Sequence, residues 1–80
     1  MTVAEKVLTM LADVAEVDEV RKDLDLRLYD LHILDSLGTV GLMAALSLEF
    51  GVEISPAEFD PQEWATPRKI VSYMENRVGR

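Results

Sequence analysis

The sequence predicts an all-α fold: a small bundle of three main helices, with one or two short helical turns and a long loop before the second helix. Three observations lead to this prediction. Apolar residues recur at helical spacing in three segments, capping residues precede each segment, and no two strand-like segments are available to pair. The chain has 80 residues, so we expect a single domain, 1–80, around one small core.

The first helix is predicted to follow a cap at Thr2 and to end at about Ala15 or Glu16. Thr2 and Glu5 have the spacing of a capping box, in which each side chain accepts a hydrogen bond from the backbone N–H of the other. Apolar residues then follow at spacings of three and four: Val3, Val7, Leu11 and Val14. This pattern is typical of an amphipathic helix.

Residues 17–33 form the predicted long loop. Leu24, Leu26 and Leu28 alternate with charged residues, which is the period of a strand. No second strand is present for them to pair with, and an isolated strand is not stable. We therefore expect a partly extended loop whose leucines contact the core.

The second helix is predicted from Ser36 to about Phe50. Asp35 is suited to accept from the free N–H groups of the first turn, and Gly51 suits the left-handed residue that ends a helix. The apolar residues of this helix cover more than the one stripe that a core requires: Leu37, Val40, Leu42, Met43, Ala44, Ala45, Leu46, Leu48 and Phe50. Part of its surface is therefore available to a partner, and Leu37, Val40 and Met43 are our candidate partner surface. Met43 could equally belong to the core, since methionine adapts to both environments.

The three prolines each follow a capping residue: Ser55, Asp60 and Thr66. A proline after a cap opens a helix, and Glu58 and Glu63 have the position of capping-box partners. The first two segments are long enough for one turn only, whereas the third continues with an apolar stripe: Ile70, Val71, Met74 and Val78. Phe59 and Trp64, beside the short turns, are expected to fill the core.

The composition excludes several functional classes. Cysteine is absent, which rules out disulfides and thiolate metal sites. The net charge of −7 disfavours nucleic acid and anionic lipid and favours basic protein partners. Residues 1–65 hold 14 acidic and 4 basic side chains, whereas residues 66–80 hold 1 acidic and 4 basic.

No metal site or membrane span is expected. The acidic residues at 53–63 lack the alternating ligands and central glycine of a calcium loop. No apolar run approaches the roughly 18 residues that cross a bilayer, and the amino terminus does not resemble a signal peptide. We expect a cytoplasmic protein.

Ser36 is the main candidate functional residue. If Asp35 caps the helix, the Ser36 hydroxyl is left exposed on a first turn whose unpaired N–H groups and partial positive charge suit a phosphate. A simple capping role for Ser36 remains an alternative. Catalysis by Ser36 would need a base, and His32 is the single histidine, in a sequence without a Gly-x-Ser-x-Gly motif. We therefore expect no catalytic residue, and His32 to be a loop residue near the helix start.

Two sequence blocks resemble the acyl carrier protein superfamily, and within it the D-alanyl carrier family most closely. The first block is LDSLGTV at residues 34–40, and the second combines EFD at 58–60 with WATP at 64–67 and IV at 70–71. Fatty-acid carriers usually have an acidic helix after the serine, whereas here Glu49 is the only acidic residue within 36–50. Peptidyl carriers usually have a Gly-Gly pair before the serine. His32 and Gly41 depart from the D-alanyl carrier pattern, which usually has a glycine and a larger residue there.

The resemblance implies an acyl-carrier-like bundle and a non-catalytic carrier. Ser36 would carry covalent phosphopantetheine, whose thiol holds an amino acid as a thioester, and the likeness to the D-alanyl carrier family implies D-alanine. Asp35 would help to position the metal ion of the transferase. The implied partners are a D-alanine ligase, a phosphopantetheinyl transferase and a membrane acyltransferase, acting on a monomer in the D-alanylation of teichoic and lipoteichoic acid during cell-wall biogenesis. The alternatives are a carrier for another aminoacyl or acyl group, in fatty-acid, polyketide or peptide synthesis, and a non-carrier helical interaction module.

Overall fold

The computed structural model of the protein describes residues 2–79, and within them the fold is all-α, as predicted. Its helices are α1 (Val3–Ala15), α2 (Glu19–Lys22), α3 (Ser36–Phe50) and α4 (Pro67–Val78), with one turn of 3-10 helix at Pro56–Glu58. The three main helices and the long connection before α3 are confirmed. None of the helices in residues 2–79 has the length and apolar character needed to traverse a bilayer.

The capping predictions for α1 are confirmed. The Thr2 hydroxyl accepts from the Glu5 backbone N–H at 3.1 Å, and the Glu5 carboxylate accepts from the Thr2 N–H at 3.0 Å. The last residue of the helix is Ala15, and the residue after it, Glu16, is in the left-handed conformation with φ of 58°. The local hydrogen bonds that the sequence encodes thus set both ends of this helix.

Residues 17–33 differ from the prediction in one respect, because they include the short helix α2. The residue before α2, Asp18, makes no side-chain capping bond, and Val20 is the one buried residue of the helix, so the sequence carried no signal for it. Leu28 belongs to the core and Leu26 packs against it, as predicted, whereas Leu24 is held by its backbone carbonyl. Leu28 is fully buried and its N–H donates to the Ala65 carbonyl at 2.9 Å, while the Leu24 carbonyl accepts from Arg68 at 2.9 Å.

Of the one or two short helical turns predicted before α4, one forms: the 3-10 turn Pro56–Glu58, which Ser55 caps. The Ser55 hydroxyl accepts from the Ala57 N–H at 3.2 Å, one residue earlier than a capping box requires. Asp60 likewise accepts from Gln62 at 3.0 Å, and no helix follows it. The predicted capping-box roles of Glu58 and Glu63 are therefore wrong, since these two-residue bonds close turns and leave the third N–H unbound by the cap side chain.

The core lies between α1, α3 and α4. Trp64 is fully buried at its centre, as predicted, and Pro67 at the start of α4 is also buried. Phe59 is only half-buried. The other fully buried side chains come from all four helices and from the loop: Val7, Leu11, Val20, Leu28, Leu42, Leu46, Ile70 and Met74.

Candidate functional site

The start of α3 leaves the Ser36 side chain free. Asp35 has extended backbone geometry and its Oδ1 atom accepts from the Gly38 N–H at 2.7 Å, so Asp35 is the capping residue. Ser36 is the first residue of the helix and is exposed. Among the hydrogen bonds of residues 2–79, none involves the Ser36 hydroxyl. Its oxygen is therefore available for reaction.

The electrostatics of this first turn suit a phosphate group. The N–H groups of Ser36 and Leu37 have no acceptor within the helix. An N–H group in an α-helix bonds to the carbonyl four residues earlier, and for the first turn that carbonyl lies outside the helix. No acidic residue occupies the turn itself. Partial positive charge at a helix start stabilises an anion by about 0.3–1 kcal/mol at an exposed site.

A buried hydrogen-bond chain holds the preceding loop to α3. The Thr39 hydroxyl donates to the Asp35 carbonyl at 2.8 Å and lies 2.6 Å from the Tyr29 hydroxyl, which therefore donates to Thr39. Burial, the main cause, raises the pKa of Tyr29 above its usual value. Sequence reasoning missed this pair, although a threonine four residues after a cap commonly bonds back to the carbonyl there.

Two shallow apolar depressions adjoin Ser36, and Phe59 borders both. One has a volume of about 90 Å³ and lies between α3 and the 3-10 turn, where Thr39, Val40, Met43 and Pro56 line it. The other, of about 260 Å³, is lined by Tyr29 and Pro61. The ring of Phe59 meets that of Tyr29 edge-on, at 6.2 Å between centroids. Phe59, predicted to be a core residue, thus also lies beside the candidate site.

The predicted partner surface is exposed in part. Leu37 is 81% exposed and Val40 is 48% exposed. Met43 is 3% exposed, so its assignment to this surface is wrong. It follows buried Thr39 by four residues, which places both on the same face of α3, toward the core. Two further exposed leucines, Leu31 at 56% and Leu48 at 87%, were not singled out from the sequence.

His32 is an exposed loop residue in the left-handed conformation, with φ of 59°. This conformation favours glycine, which agrees with the glycine that the resemblance places there in relatives. No group of three histidine, aspartate or glutamate side chains within residues 2–79 could hold a metal ion.

The family model for the phosphopantetheine attachment site matches residues 5–74. The chain is 48% identical over 69 residues to the D-alanyl carrier protein of Lacticaseibacillus rhamnosus, covering 86% of this chain and 85% of that protein. It is 46% identical over 69 residues to the D-alanyl carrier protein of Lacticaseibacillus casei strain BL23, with the same coverage of 86% and 85%. Proteins of this family are non-catalytic carriers that hold phosphopantetheine covalently on a serine. The chain belongs to the phosphopantetheine-attachment family and, within it, to the D-alanyl carrier group.

Proposed function

We propose that phosphopantetheine is attached to Ser36 and that its thiol holds D-alanine as a thioester for the D-alanylation of teichoic acid. The observation that carries this proposal is the Ser36 hydroxyl, which is exposed and unbonded at a helix start that Asp35 already caps. The two relatives are named for the same cargo. In attachment, the Ser36 oxygen forms a bond to the phosphorus that links the arm to its nucleotide donor. The phosphoanhydride bond from that phosphorus to the donor's nucleotide breaks, the nucleotide leaves, and the serine proton passes to a base of the transferase.

The arm supplies what the chain lacks. A thioester needs a sulfur atom, and the sequence contains no cysteine. A flexible tether also lets one cargo reach several active sites in turn without a catalytic group on the carrier. The protein is therefore a substrate of a ligase and a transferase, and it performs neither reaction.

Successive partners need a small and reversible contact. Leu37 and Val40, both beside Ser36 on α3, provide exposed apolar area for this contact, and we include Leu31 in the same partner surface. Interfaces that bury less than about 1,200 Å² are typical of transient encounters. The transferase, a D-alanine ligase and a membrane acyltransferase would use this surface in turn, with Asp35 helping to position the metal ion of the transferase. The acidic charge elsewhere speeds encounter with basic partners more than it tightens binding.

The site is suited to a small cargo. The depressions beside Ser36 measure about 90 and 260 Å³. Both are below the roughly 300–1,000 Å³ of a pocket that encloses a small-molecule ligand. An amino acid on an exposed arm requires no such enclosure, whereas a long acyl chain does. The proposal also includes a single domain, a monomeric state and a cytoplasmic location, as predicted from the sequence.

Intact mass spectrometry after co-expression with a broad-specificity phosphopantetheinyl transferase tests the attachment. Wild type and Ser72→Ala, which removes an exposed serine of α4, are expected to gain one arm. Ser36→Ala is expected to gain none. An unmodified wild type, or an equal mass gain on Ser36→Ala, would refute the attachment at Ser36.

The cargo is tested on the purified arm-bearing protein. In parallel reactions with ATP, a D-alanine ligase is supplied with D-alanine, an L-alanine ligase with L-alanine and an acyl ligase with a fatty acid. Thioester formation is followed by mass and by release with hydroxylamine. We expect preferential loading of D-alanine. Preferential loading of L-alanine or of the fatty acid by their own ligases, with none of D-alanine, would assign the carrier to another branch of the superfamily.

A further inference from the structure

Gly38 lies where the structure leaves little room for a side chain. A Cβ atom built on Gly38 would lie 3.2 Å from Oδ1 of Asp35 and 3.2 Å from Cδ1 of Leu34. The distance to Cδ1 is shorter than ordinary carbon–carbon contacts of about 3.5–4.0 Å. Both contacts are tight enough that each neighbour would have to shift by a few tenths of an ångström. The two neighbours are the residues that directly precede Ser36 in the chain.

Both neighbouring atoms are held in place by other contacts. The Leu34 side chain is 3% exposed and belongs to the core. Asp35 Oδ1 is held at 2.7 Å by the N–H of Gly38 itself. A methyl group at position 38 therefore pushes on the oxygen that its own backbone binds, and the displacement is passed to the peptide that carries Ser36.

Gly41, on the same helix, provides the contrast. A Cβ atom built there meets nothing within 4 Å. Alanine is a better helix former than glycine, so a glycine within a helix needs a local reason. The contacts supply that reason at Gly38 and supply none at Gly41.

The equivalent residues of α1 and α4, Glu5 and Lys69, carry side chains, and their N–H groups lie 3.1 and 3.2 Å from the capping oxygen, compared with 2.7 Å at Gly38. We propose that Gly38 is a positioning residue for arm attachment, because its missing side chain allows this close contact with Asp35 in the geometry that presents the Ser36 hydroxyl. This role rests on the proposed function of Ser36. It adds a residue that acts through Asp35 and does not itself contact the arm.

The test compares Gly38→Ala with the matched variant Gly41→Ala in the full chain. Initial rates of arm attachment are measured against carrier and Mg²⁺ concentration, with helix content followed by circular dichroism at the assay temperature. We expect the kcat of Gly38→Ala to fall about tenfold, because small misplacements of reacting groups have effects of up to about a hundredfold. We expect a higher Mg²⁺ concentration at half-saturation, an unchanged KM and unchanged helix content. Gly41→Ala is expected to stay within about twofold of wild type, since it alters no contact of the site.

A second measurement reports the geometry without the transferase. The amide proton of residue 38 is expected to shift upfield in Gly38→Ala, because a longer bond to Asp35 deshields it less. The role is overturned if Gly38→Ala attaches the arm at the wild-type rate, if both glycine variants slow equally, or if the rate falls only in step with helix content. A wild type that accepts no arm overturns the proposed function itself, and this role with it.

Discussion

Helices α3 and α4 begin in the same way and expose very different surfaces. Each starts from an extended residue, Asp35 or Thr66, whose side chain accepts from a backbone N–H three residues later. At α4 the next residue is Pro67, which has no N–H and is buried. At α3 the next residue is Ser36, which is exposed and has a free hydroxyl. A capped helix start is therefore not enough to identify an attachment site. The residue that follows the cap must also be exposed and carry a reactive group.

The same contrast continues along the two helices. The buried residues of α4 form one stripe, Pro67, Ile70 and Met74, under an outer face of polar side chains. On α3 apolar residues also face outward, and Leu48 at 87% exposure is the most exposed of them. A helix that only completes a core needs one apolar face, so the second apolar face of α3 indicates contact with other proteins.

The largest effect is expected where the two helices differ in burial. Ile70→Ala, at a fully buried position of α4, should lower the free energy of unfolding by about 2–5 kcal/mol. Leu48→Ala, on the exposed face of α3, should change it by less than about 0.5 kcal/mol. Urea unfolding followed by circular dichroism measures both. Comparable losses would show that the outer face of α3 is covered in solution.

The two capping residues should separate stability from function. Asp35→Ala and Thr66→Ala should each lower the free energy of unfolding by about 1 kcal/mol, because each leaves a first-turn N–H unbound. Only Asp35→Ala should also slow arm attachment. Thermal unfolding and the mass assay give the two readouts. If Thr66→Ala slowed attachment as much, loss of stability would explain both results.

The loop before α3 contains strain at His32, a non-glycine residue with φ of 59°. His32→Gly should raise the free energy of unfolding by roughly 0.5–1 kcal/mol, the balance between relieved left-handed strain and the greater backbone entropy of glycine in the unfolded chain. His32→Ala is the control, since it removes the ring and keeps the strain. If His32→Ala raised the free energy of unfolding as much as His32→Gly, the destabilisation would come from the imidazole ring and not from the backbone conformation.

The smallest effect concerns the ion pair that joins this loop to the start of α4. Arg68 Nε donates to Asp25 Oδ1 at 3.0 Å, and this hydrogen bond, with the charge of Arg68, holds the pKa of Asp25 below its usual 3.8. A lowered folded-state pKa contributes stability above pH 3.8, which is lost as the pH falls through the folded-state value. Asp25→Asn should thus unfold at a slightly lower temperature at pH 7, and the two curves should converge below pH 3.8. If the two unfolding temperatures still differed at low pH, the effect of Asp25→Asn would come from changed packing and not from the ion pair.

Local hydrogen bonding explains which elements could be predicted from the sequence. Each main helix has a start that is encoded within a few residues, by Thr2 with Glu5, by Asp35, and by Thr66 with Pro67. Gly51 encodes the end of α3 in the same way. The starts of α1, α3 and α4 were therefore correct to the residue. The exposed hydroxyl of Ser36 followed from the same logic, because Asp35 was available as the cap.

The remaining features depend on contacts between distant segments. Helix α2 has a single buried residue and no side-chain cap, so nothing within its four residues distinguishes it from the loop. Met43 and Val40 are both apolar members of α3, and only the packing of α3 into the rest of the fold decides which one is covered. Phe59 lies beside Ser36 because the 3-10 turn folds back toward α3. No local pattern encodes that approach.

The aromatic residues give the molecule an optical reporter. Phe59, whose ring borders Ser36, lies 6.3 Å from the ring of Trp64, which in turn lies 5.2 Å from that of Tyr73. Trp64 is the single tryptophan of the chain and is shielded from water, so its fluorescence comes from one uniform environment. An arm that settles against Phe59 would alter that emission, which would let loading and unloading be followed in real time without a label.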